Sequence, residues 1–167
     1  MKNSNKRIIL KYSSPALVLE LVGVVLILSI LYFTVTLYPG LQDTVPKQFS
    51  IAGSITAWGS RQIALLWPMA AVYVYLVLTA LSLLIRRIPD ENGHNKKIST
   101  TLMMILCAKI VFMVFALVST YSTMMICDMP SWSALILPLG VLGTAIVGIT
   151  MVRNKNSYSY AIKEAKV

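Results

Sequence analysis

The chain has 167 residues, 57% hydrophobic and 13% charged, which is one domain's length and too apolar for a soluble fold around one amphipathic core. Its net charge of +9 raises nucleic acid as a partner, but the bases cluster at the ends of apolar runs, where anionic lipid head groups lie. Nucleic-acid binding is set aside on that ground, and the two cysteines are too few for a metal cluster.

Residues 1–15 form a basic tail with Lys2, Lys6, Arg7 and Lys11, and Pro15 suits the first turn of a helix. The first apolar run covers residues 16–37, and Tyr38-Pro39-Gly40 ends it with turn chemistry. It is too long for a signal-peptide core and no small-x-small cleavage site follows, so it is expected to stay as an anchor. After a long connector comes the second run, 63–85, whose early Pro68 predicts a kink or a late helix start. A turn at Pro89-Asp90-Glu91-Asn92-Gly93 leads to the third run, 98–120. The fourth, 133–152, begins past Pro130, and the polar tail 153–167 is expected to be loosely ordered. No repeat is evident between the two helical hairpins.

Each run has about the 20 residues needed to cross a hydrocarbon core of about 30 Å. The runs are apolar all round, unlike the alternating strands of a membrane barrel, so they predict helices. Bases gather before the first helix, at Arg86, Arg87, Lys96 and Lys97, and at Arg153, Lys155, Lys163 and Lys166. The opposite side holds only Lys47 and Arg61, together with a belt of Tyr38, Trp58, Trp67, Tyr121 and Trp132. The expected fold is an all-α integral membrane protein, an antiparallel four-helix bundle over 16–152 with a structured outer loop. Both termini are expected in the cytoplasm, with the bundle in the inner membrane of a bacterium.

Two ionisable residues fall inside the spans. A charge at the bilayer centre costs about 2.5–3.5 kcal/mol on insertion scales, so each needs a partner or water. Lys109 lies near the middle of the third helix; Glu20 lies near the start of the first, with Gly23 about one turn on. Their depths differ by about 10 Å, which a lysine stem leaning toward its helix N-terminus and some helix tilt can close. The alternative has Glu20 snorkelling to the interface and Lys109 on backbone carbonyls, on water or neutral. A pair of this kind either sets helix register or serves an ion pathway.

Gly140, Thr144 and Gly148 recur every four residues and share one face of the fourth helix, which lets another backbone approach. An internal seam or a contact with a second helix outside the chain both fit that face. Cys107 and Cys127 are expected as free thiols, about 30 Å apart along one helix. His94, the one histidine, has no catalytic constellation around it, and Asp43 and Asp128 are isolated acids that could meet. No cofactor, metal site or enzymatic activity is expected.

The outer loop is the most distinctive segment. Pro46 stiffens its start, Gln48 and Phe49 follow, Gly53 permits a turn, Trp58 suits the interface, and Arg61 is placed to meet lipid phosphates. With Gly59, Ser60 and the early Pro68, this pattern resembles the domain of unknown function 1648, over roughly Leu28 to Leu84. That domain also forms the N-terminal part of SdpI-type bacterial immunity proteins. The family's usual His is Gln48 here, its usual Asp is Thr56, and its usual Lys is Arg61. The first two changes remove the groups that could have titrated or bound a metal.

The resemblance implies immunity to, or signalling of, membrane-active antimicrobial peptides. The partner would be such a peptide outside or a regulatory protein inside. Two other classes stand beside it: a small transporter or channel using Glu20 and Lys109, and an accessory subunit docking through Gly140, Thr144 and Gly148.

Overall fold

The computed structural model describes residues 14–86 and 95–164. The basic tail before Ser14, the turn expected at 89–93 and His94 lie outside the described residues. Four helices, α1 (Ser14–Leu37), α2 (Leu66–Arg86), α3 (Asn95–Met125) and α4 (Ile136–Glu164), carry the fold. Among the described residues, these four are long and apolar enough to cross a membrane. Their outward faces are rich in Leu, Val and Ile, as lipid rather than water must solvate them.

Helix α3 is the hub and packs against each of the other three. Ala16 clusters with Leu102 and Leu106 at one end, and Ile27 and Ile30 with Ala71, Met113 and Ala116 in the middle. At the other end Met124 joins Leu41, Val45 and Ala64. Helix α4 lies against α3 through its small residues: a methyl group at Gly140 would run into Val111, and one at Gly148 into Met104. The face left open by the sequence is therefore an internal seam, with Thr144 tied back to the Val141 carbonyl.

Two helix starts are built alike. A 3-10 turn, Arg61–Leu65, precedes α2, and another, Ser131–Leu135, precedes α4. Each α-helix then has proline as its third residue, Pro68 and Pro138, where the missing N–H has no helical acceptor to lose. Of the two expectations for Pro68, the late start is the one observed. The short matching stretches Ala64-Leu65-Leu66-Trp67-Pro68 and Ala134-Leu135-Ile136-Leu137-Pro138 form a local repeat not evident from the overall pattern.

Three differences from the sequence reading have physical causes. Helix α4 continues to Glu164, beyond the expected end at 152, and α3 runs from Asn95 to Met125 rather than 98–120. Apolarity marks what lipid covers; the backbone can stay helical past that point. The structured outer loop expected between α1 and α2 is built as an antiparallel hairpin, β1 (Thr44–Phe49) and β2 (Ile55–Ser60), a β element in a mostly helical chain expected to be all-α. With Pro46 and Gly59 inside the strands, neither segment shows a clean strand signature. Register shifts beside Lys47 and Thr56 place one bulge in each strand.

Candidate functional site

Among the described residues, an ionic site lies inside the helical bundle. Lys109 is completely buried, and its Nζ donates to Glu20 Oε2 at 2.5 Å and to Thr79 Oγ1 at 3.3 Å. The ammonium also lies 4.7 Å from the centre of the Tyr75 ring, within reach of a cation–π attraction. An ammonium has three donors, and here a carboxylate, a hydroxyl and a π face surround it. The pair left open by the sequence is thus made, and it ties α1, α2 and α3 at one point.

Gly23 lies beside the lysine stem: a Cβ there would sit in ordinary van der Waals contact with Tyr75 and Lys109 Cε. Sequence reading found Glu20, Gly23 and Lys109 but missed Thr79 and Tyr75. A threonine and a tyrosine in an apolar run are unremarkable until the helices are packed.

At the far end of the bundle the hairpin is braced on three sides. Its loop is closed by Ser50 and Ser54, whose backbones bond at 2.8 Å and whose hydroxyls lie 2.7 Å apart. Gly53 has φ +91°, a conformation open to glycine, and its carbonyl accepts from Met129 N–H at 2.9 Å. A Cβ at this position would collide with the Met129 carbonyl. Asp128 Oδ1 accepts from Ile55 N–H at 3.0 Å, so the two acids flagged in the sequence have separate roles. Asp43 contributes its backbone carbonyl, which accepts from Arg61 N–H at 2.9 Å.

Arg61 forms the third brace. Its Nη2 donates to the carbonyls of Tyr38 at 2.7 Å and Pro39 at 3.1 Å, and the guanidinium lies 4.7 Å from the Tyr38 ring centre. The lipid-phosphate role expected for Arg61 is not what its guanidinium does here. It satisfies carbonyls just past the end of α1, where a cation is favoured.

The remaining loop residues divide sharply. Pro46 and Gly53 are buried and Phe49 is half-buried, while Gln48 and Lys47 are exposed. Ile51 at the tip is 87% exposed and Trp58 54% exposed, leaving two large apolar side chains uncovered.

Helix α3 ends in a strained cap beside these braces. Ile126 adopts φ 52°, and Cys127 N–H donates to the Ser122 carbonyl at 3.1 Å, the longer of the two bonds of a Schellman ending. Glycine is the usual residue there; a β-branched one is an outlier. The cap delivers Asp128 and Met129 to the hairpin. Both cysteines are free thiols, and no group of three or more metal-binding side chains occurs among the described residues.

Four membrane-spanning helices with a braced hairpin at one end define a multi-pass membrane protein. Residues 24–72 match the family model described as Domain of unknown function (DUF1648), the family the loop pattern resembles. The match runs from α1 through the hairpin into α2, so it contains Arg61 and Gly53 but neither Glu20 nor Lys109. Neither a curated protein nor a solved structure matches the chain.

Proposed function

We propose that this is a bacterial inner-membrane protein that protects against membrane-active antimicrobial peptides or signals their presence. The helices thread the bilayer antiparallel, with both termini cytoplasmic and the hairpin outside, a threading supported by the basic clusters. The observation that carries the reading is the hairpin itself. Its buried motif residues hold its shape, and that shape presents Ile51 and Trp58 with Gln48 and Lys47. An amphipathic peptide offers matching apolar and polar contacts.

The test is survival of a sensitive bacterium expressing the chain and challenged with a panel of membrane-active peptides. A variant with Ile51→Ser and Trp58→Ala, inserted at equal level, is expected to lose the protection. Protection by neither protein sinks the reading. Protection by both moves reception away from the hairpin.

A second reading, a small transporter, draws on Lys109 being wholly buried beside Glu20. It requires flux in reconstituted vesicles above that of empty ones, stopped by Lys109→Leu. The closed arrangement around the ammonium favours a register lock over a pathway. The accessory-subunit reading loses its proposed surface, since Gly140 and Gly148 already face α3.

A further inference from the structure

One stretch of α3 carries buried hydroxyls that neither the hairpin braces nor the ion pair uses. Ser119, Thr120, Ser122 and Thr123 are each at most 2% exposed. Of these, the Ser119 and Thr120 hydroxyls have no hydrogen-bond partner in the protein. Elsewhere in the helices the habit is different. Ser29, Thr34, Thr36, Ser82, Thr144 and Thr150 each return the hydroxyl proton to a carbonyl of their own helix. A buried hydroxyl without a bond carries its whole desolvation penalty, and two side by side call for a partner.

The packing on either side fixes the level of these groups. One turn before Thr120, Ala116 shares an apolar cluster with Ile30 and Ala71; one turn after it, Met124 shares another with Leu37 and Ala64. Residues three and four apart share a helix face, so the layer between the clusters receives Thr34 from α1 and Pro68 from α2. Pro68 is buried and has no N–H to give. Thr34 is half-buried and has spent its proton on the Ile30 carbonyl at 2.7 Å, so its oxygen can only accept. The layer thus holds two unused donors and an acceptor, with apolar packing above and below.

We propose that this layer is an internal hydration site, where bound water bridges Thr120 and its neighbour Ser119 to Thr34. A buried water makes about three hydrogen bonds to groups that are otherwise unsatisfied, and these three hydroxyls supply that number. Other occupants fit less well. With Ser119 and Thr120 at 1% and 0% exposure, the layer is closed to an acyl chain or a peptide. A metal cation would be buried among neutral oxygens, whereas the one buried cation described, Lys109, has the carboxylate of Glu20 beside it. Water is uncharged and both donates and accepts. Ordered water is one of the means by which polar groups near a proline are satisfied within a membrane. Bound here, it ties α1 to α3 on the hairpin side of the bundle, as the ion pair does nearer the other end. The inference needs only the helix packing and stands apart from the peptide reading.

The experiment uses the full chain in bilayers of deuterated phosphatidylcholine and follows magnetisation transfer from water to methyl groups by solid-state NMR. Build-up at the Thr34 and Thr120 methyls is expected to run several-fold faster than at Ala116 and Met124, one turn to either side of Thr120. Ser119→Ala with Thr120→Val removes both donors and keeps their shape, and should bring Thr34 down to the rate of Ala116. Thr34→Val makes the same comparison from α1, with the fast build-up at Thr120 lost. In detergent, Thr120→Val is expected to raise the unfolding constant about fivefold, because a bridged hydroxyl is lost. An unchanged or lower constant marks a hydroxyl that had no bond to lose and overturns the proposal. Slow build-up at Thr120 in the unmodified chain does the same, as does fast build-up at Thr34 that survives the double variant. A Thr120 signal that shifts when sodium or potassium replaces choline also overturns it and assigns the layer to a cation. A failed survival assay leaves the hydration result standing, since no peptide takes part.

Discussion

Lys109 and Arg61 are both single cations set into an apolar bundle, and the protein satisfies them in opposite ways. Lys109 is fully buried and has a formal counter-charge, Glu20, with Thr79 and Tyr75 completing its surroundings. Arg61 is half-buried near the end of α1 and has no carboxylate; two carbonyls and a ring serve instead. Depth accounts for the difference. Close to water, backbone dipoles and solvent can balance a guanidinium, whose fork suits paired oxygens. In hydrocarbon the desolvation of an ammonium is large, and here a carboxylate offsets it.

Breaking the deep pair should therefore have the largest effect. Glu20→Ala leaves an ammonium buried without its counter-charge and should destabilise the bundle by about 3–5 kcal/mol. Reversible unfolding in detergent measures this directly. Glu20→Leu combined with Lys109→Met should recover most of the loss, because the two desolvation penalties vanish together. If the double variant stays as unstable as the single one, the pair is more than a register lock. Lys109→Met alone should cost less than Glu20→Ala, since the Glu20 side chain is 17% exposed and can turn toward solvent.

Effects at the hairpin should be smaller and local. Gly53→Ala meets both an unfavourable φ and the Met129 carbonyl, and should cost about 2 kcal/mol. Its signature is faster protease cleavage within the hairpin with the helices intact. Arg61→Lys keeps the charge but loses the fork, so a loss of about 1 kcal/mol in unfolding free energy is expected. An unchanged value would mean that charge alone, and not the two-carbonyl geometry, secures the end of α1.

The smallest change runs the other way. Ile126→Gly relieves a β-branched residue from the left-handed region and should stabilise the cap by about 1 kcal/mol. If the strain also positions Asp128 and Met129, this more stable variant should show a looser hairpin, seen as faster amide exchange at Ile55. That combination would distinguish a strained cap that orients the hairpin from one that is merely tolerated.

How much was legible in advance differs between the two sites. Glu20 and Lys109 stood out because any charge in a span is conspicuous, and Gly23 lay within view one turn from Glu20. The pairing itself depended on the relative height of two helices that are far apart in sequence. At the hairpin, Pro46, Gly53, Trp58 and Arg61 were visible as a pattern, but their roles were not. Arg61 looked free for lipid until the carbonyls of Tyr38 and Pro39 came within reach. Asp128 looked isolated until the fold set it against Ile55, 73 residues away.

The sequence by itself determined that four segments cross a membrane, because that depends only on run length and on the cost of exposing peptide groups to hydrocarbon. It also determined which residues are costly to bury. Only the tertiary structure decided which partners meet that cost, that the connector closes as a hairpin, and that the small-residue face of α4 turns toward α3. Those outcomes rest on register and on approach between distant segments, where a shift of one turn exchanges every contact while leaving local apolarity unchanged.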